Sequence, residues 1–149
     1  MKYTEKISNE LNELLVKNYD ARKGYLNAID NVDSHTLKQF FERMATERGE
    51  FARELKNEIL TYQETPKEAG SIAGAVHRNW ITLKNLFSSN DEEAILDEVV
   101  RGEKASLESY ANVMVDNELS KSIKTLLNKH TVAIKKTIKS IHKFEELVS

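Results

Sequence analysis

Residues 119–141, LSKSIKTLLNKHTVAIKKTIKSI, decide the fold class. Leu119, Ile123, Leu127, Ile134, Ile138 and Ile141 recur at steps of three and four, with one double step of seven, which lines one face of an α-helix. Lysines crowd the outer face and the C-terminal half, where the helix dipole favours positive charge. One step of the stripe lacks its apolar residue, and His130 stands there. Asp116-Asn117-Glu118 just upstream reads as a tight turn. The spacing predicts a helix over about 119–147.

Working outward, the same period recurs four times. Ile7, Leu11, Leu14, Tyr25, Ile29 and Val32 predict a helix over about 4–32, with a gap that lands on Asn18 and then on Ala21 or Arg22. Asp33 and Ser34 are good N-cap residues. After them Leu37, Phe41, Met44, Phe51, Leu55 and Ile59 predict a helix over 35–62, with Arg48 filling the missing step. Thr65-Pro66-Lys67-Glu68 has the residues of a capping box with proline at the first helical position, and predicts one turn before Gly70. Ile72, Val76, Trp80, Leu83 and Phe87 predict a shorter helix over 71–87. Ser89 with Glu92 reads as a further capping box. Leu96, Val100, Leu107, Tyr110 and Met114 then predict a helix over about 91–115, with Glu103 in the missing step. No strand alternation competes, so the fold class is all-α.

Composition agrees with a helical domain. The length of 149 residues suits one domain, and five glycines with one proline are too few for a turn-rich β fold. Charged residues make up 31% and apolar residues 40%, a globular rather than a disordered balance. The formal charge of -2 argues against a general binder of nucleic acid or membrane, both of which need a basic surface. Without cysteine there is no disulfide, thiolate nucleophile or thiolate metal site. No apolar run has the length of a signal peptide or a membrane span, and the expected location is cytoplasmic. Phosphate-loop, nucleophile-elbow and zinc-protease motifs are absent, so nothing points to an enzyme.

Short links join the first long helix to the second and the third long helix to the fourth, which makes two antiparallel hairpins. A connector helix of about 17 residues is about 25 Å long and can carry the chain from one end of a bundle to the other. That is the one-crossover topology of ferritin-like folds. The hairpins also show a faint internal repeat: Asn18 to Tyr25 and Glu103 to Tyr110 share a seven-residue spacing.

Four runs carry a resemblance: Asp20-Ala21-Arg22-Lys23-Gly24-Tyr25, the segment from Glu47 to Leu55, the segment from Gly70 to Trp80, and Arg101-Gly102-Glu103. Together they resemble a bacterial family of unknown function grouped with the ferritin-like four-helix bundles. The resemblance spans nearly the whole chain and implies a fold rather than an activity. Ferritin-like di-iron proteins place a glutamate on each of two helices and Glu-x-x-His on each of the others. Here Glu47-x-x-Glu50 ends in a carboxylate where that motif has histidine, and no Glu-x-x-His surrounds His130. Glu103 alone matches the pattern, so the ligand set is incomplete.

Four stripes skip an apolar residue once, at Asn18, Arg48, Glu103 and His130, all near mid-helix. Aligned helices would bring them to one level of the core, with Arg48 as natural partner of Glu103 and no metal bound. The expected function is then a non-catalytic structural, stress-associated or partner-binding bundle, without cofactor. The alternative is iron or manganese held by Glu47, Glu50, Glu103 and His130 in a redox or iron-handling protein. His77 and Trp80 are expected to anchor the crossover, with Trp80 buried. His35 and His142 read as surface residues, Tyr25 and Tyr110 as core packing, and the Lys135, Lys136, Lys139, Lys143 cluster as a solvated face. Partners are not specified, and either a monomer or a homodimer fits.

Overall fold

The computed structural model describes residues 2–68, 85–87, 91–116 and 118–148, with side chains as far as 144. Every regular element among them is helical. Four long helices, α1 (Tyr3–Asn31), α2 (His35–Thr61), α3 (Glu92–Met114) and α4 (Lys121–Val148), pack as two hairpins, α1 with α2 and α3 with α4. A helical stretch at 85–87 lies between them in the chain. The helix predicted over 71–87 falls, apart from those three residues, outside the described residues, as do His77 and Trp80. The chain divides into two compact units, 1–90 and 91–149.

In the first unit the turn is set by local chemistry. Ser34 caps α2 by accepting the Leu37 N–H at 3.2 Å, and the Val32 N–H closes α1 onto the Ala28 carbonyl at 3.1 Å. With only Val32, Asp33 and Ser34 outside both helices, α2 returns along α1. Tyr25 stacks on Phe41 with ring centroids 5.8 Å apart, and the Phe87 ring meets Phe41 edge-on at 6.4 Å. The buried face of α1 is wider than its stripe: Ser8, Asn12, Leu15, Val16 and Ala28 are buried beside the predicted positions, while Ile29 is half-buried. A helix in a globular hairpin buries about a 100° sector, not only a narrow seam.

The segment after α2 departs from expectation. Residues 64–68 form no helical turn, although the capping-box residues are present. Asn12, buried on α1, accepts the Lys67 N–H at 2.8 Å and donates to the Thr65 carbonyl at 3.3 Å. Those bonds hold the backbone against α1 in a non-helical path. Gln63, with φ of 59°, makes the preceding bend.

In the second unit the cap of α3 is Asp91, which accepts the Ala94 N–H at 3.0 Å. Ser89, the capping residue expected from the sequence, lies outside the described residues. The Asp116 carboxylate accepts the Glu118 N–H at 2.8 Å, a bond that suits the predicted turn; Asn117 lies outside the described residues. α4 starts two residues later than the stripe suggests, because Ser120 caps it through the Ile123 N–H at 3.3 Å. Leu119 is still buried. The buried face of α3 takes in Ile95, Leu96, Val99, Val100, Glu103, Tyr110 and Val113, while Leu107 and Met114 of the predicted stripe are half-buried.

Candidate functional site

All four residues that interrupt the apolar stripes are buried: Asn18, Glu103 and His130 have no exposed surface, and Arg48 has 1%. Their neighbours explain why. On α1, the Asn18 amide nitrogen donates to the carbonyl of Leu14, one turn back, at 2.8 Å. That bond fixes the amide so that its oxygen faces α2, where it accepts from Arg48 Nη1 at 2.8 Å. The Arg48 guanidinium carbon also lies 5.7 Å from the centre of the Phe51 ring, one turn further along α2. Arg48 is among the largest fully buried side chains of the described residues. Asn18 gives its charge a hydrogen-bond acceptor but no counter-charge.

In the second unit the Tyr110 hydroxyl and His130 Nδ1 share a hydrogen bond of 2.8 Å, and the two rings meet edge-on with centroids 5.6 Å apart. Which atom carries the proton follows the imidazole tautomer. Tyr110 was expected only to pack. It does pack, at 1% exposure, but it is also the polar partner of His130. An apolar stripe conceals this role, since a tyrosine fills a core position with its ring whether or not its hydroxyl has a bond to make. Glu103 lies on the same face of α3, two turns before Tyr110.

Of the residues of the metal alternative, Glu50 is turned away from the core. Glu50 is exposed and taken up by Arg53, whose Nη2 and Nε donate to one carboxylate oxygen at 2.8 and 3.2 Å. Those bonds, with the adjacent negative charge, raise the Arg53 pKa above its ordinary value. Glu47 is half-buried beside Arg48 in sequence, while Glu103 and His130 belong to the other unit. Among the described residues no group of three or more His, Asp or Glu side chains could hold an ion. The donor set does not fit a di-iron centre, and a cation at the heart of the first hairpin would repel one.

The tripeptide Arg-Gly-Glu occurs twice and is used in opposite senses. In α2, Arg48 is buried and Glu50 exposed; in α3, Arg101 is exposed and Glu103 buried. Each exposed member pairs with a residue three positions away, Glu50 with Arg53 and Arg101 with Glu98. Sequence reading also missed Asn12 and Ser8, joined at 3.3 Å, as a second buried polar group of the first hairpin. Their only signal is the four-residue spacing beside Leu11. His35 and His142 are exposed, as expected.

The arrangement can hold two buried charges and fix helix register through directional bonds. Among the described residues no helix is long and apolar enough to cross a membrane. No curated protein and no solved structure shows a significant match to the chain. The match that exists is to a family model: residues 6–116, from α1 to the turn after α3, fit DUF2383, a domain of unknown function, and the chain belongs to that family.

Proposed function

We propose that the chain is a non-catalytic, cytoplasmic bundle of ferritin-like type that acts through its surface, with a polar layer where a di-iron relative would hold metal. The buried guanidinium of Arg48, fixed by Asn18 at 2.8 Å, carries this reading. A positive group inside the hairpin is incompatible with a cluster of divalent ions and well suited to setting register. Metal analysis of protein purified without chelator, with Glu103→Ala as control, tests it. The expected result is no stoichiometric iron or manganese in either protein. Metal bound by the wild type and lost in Glu103→Ala would overturn the reading.

The proposal includes energetic coupling between Arg48 and Glu103, the buried charges of opposite sign. A buried charge that loses its compensation costs about 3–5 kcal/mol, while replacing both members of a pair by apolar residues costs far less. A double-mutant cycle with Arg48→Met and Glu103→Leu measures the coupling. Additive losses would show that the two charges are compensated separately.

A further inference from the structure

The α3–α4 hairpin is electrically two-sided. Residues 91–120 hold nine Asp and Glu against two Lys and Arg, and residues 121–148 hold seven Lys against two Glu. On α4, Lys121, Lys124, Lys135, Lys136, Lys139 and Lys143 are all exposed and make no ion pair among the described residues. Lys135, Lys139 and Lys143 follow one another at four-residue steps, where like charges repel along a helix. On α3, Glu93 and Asp97 are exposed and also make no ion pair among the described residues.

The two stretches lie at the same end of the hairpin. The Tyr110–His130 bond sets the antiparallel register. Asp97 stands thirteen residues before Tyr110, and Lys143 thirteen residues after His130. At 1.5 Å per residue each is about 20 Å from that bond, towards the end away from the 116–118 turn. An acidic and a basic face at one level is the geometry a two-fold contact requires, because each copy then offers what the other lacks.

We propose that this end of the hairpin is a self-association surface. Glu93 and Asp97 of one protomer meet Lys136, Lys139 and Lys143 of a second copy, and the same contacts repeat about the two-fold axis. A polyanion suits the lysine face less well. Packed helices lie 8–10 Å apart, so a nucleic acid or anionic bilayer on α4 would meet the α3 carboxylates within about one Debye length at 0.1 M salt. The lysine face also has no arginine fork of the kind that grips phosphate.

Sedimentation velocity of the full chain tests the proposal through charge reversal. The wild type is expected to be dimeric at low salt and to dissociate in 1 M salt, where the Debye length falls to about 3 Å. Lys139→Glu and Asp97→Lys should each be monomeric, and an equimolar mixture of the two should dimerise, since every contact in the mixed pair again joins opposite charges. Lys136→Glu with Glu93→Lys gives a second reciprocal set, and circular dichroism confirms that each variant is folded. A monomeric wild type at low salt, variants that dimerise alone, or a mixture that stays monomeric would overturn it. So would binding to phosphatidylglycerol vesicles or duplex DNA that Lys139→Glu abolishes and Asp97→Lys strengthens, which would assign the face to a polyanion.

Discussion

Tyr110→Phe removes the hydroxyl that bonds His130 in the second hairpin. The ring stays, so its edge-on packing against His130, with centroids 5.6 Å apart, is retained and almost no cavity opens. What disappears is the hydroxyl, 2.8 Å from a histidine nitrogen that has no exposed surface. Water cannot take its place without opening the helix pair. The cost is therefore that of a buried polar atom stripped of a partner, about 1–3 kcal/mol, lowered somewhat because phenylalanine is more apolar than tyrosine. We expect about 1–2 kcal/mol. With an m-value of about 2 kcal/mol/M in urea, the unfolding midpoint falls by about 0.5–1 M. Tyr19→Phe, at a half-buried position of α1, serves as control and should stay within about 0.5 kcal/mol of wild type. An unmoved midpoint for Tyr110→Phe would refute the claim that this bond supports the core.

Asn18→Leu removes an acceptor of a buried guanidinium and should destabilise by about 1.5–3 kcal/mol in the same assay, the range for hydrogen bonds to charged groups. Asn12→Ala should release the segment after α2, seen as loss of hydrogen-exchange protection at the Lys67 amide while α1 amides stay protected; retained protection would contradict the role given to Asn12. Gly102→Ala should stabilise by about 0.5–1 kcal/mol, because an added Cβ meets nothing within 4 Å and alanine is the better helix former. Gly49→Ala should gain less, since its Cβ would lie 3.3 Å from the Arg22 side chain, which is exposed and must move aside; thermal unfolding of both variants checks the order.

The type and approximate limits of the four long helices were legible because they depend on local periodicity and capping. Ser34 shows this well: a hydroxyl at that position can reach only the first turn that follows, so the sequence names its own partner. Thr65-Pro66-Lys67-Glu68 shows the opposite. Its local pattern favours a turn, but Asn12, more than fifty residues earlier, takes the backbone groups that the turn would have used. The layer was legible as positions and only partly as bonds. A gap in an apolar stripe reveals that Asn18, Arg48, Glu103 and His130 face inward, as all four do. It cannot reveal that Arg48 reaches for Asn18, or that His130 reaches for a tyrosine hidden among the apolar residues. Glu50 failed as a candidate for an angular reason: two residues from Arg48 is about 200° around a helix, and so on the far side.

That angle bears on how the two halves of the chain should be compared. Superposing them on their shared Arg-Gly-Glu would set a core cation against a surface one and a surface carboxylate against a core one. It would also match the second helix of one hairpin to the first helix of the other. The seven-residue spacing gives the sounder correspondence, Asn18 with Glu103 and Tyr25 with Tyr110, all four buried on the first helix of their hairpin. In that frame the partners on the second helices differ, since Arg48 meets Asn18 whereas His130 meets Tyr110, the match of Tyr25. An ancestral duplication, if traced through this family, is to be sought in the spacing of inward-facing residues, and the conspicuous tripeptide is the misleading anchor.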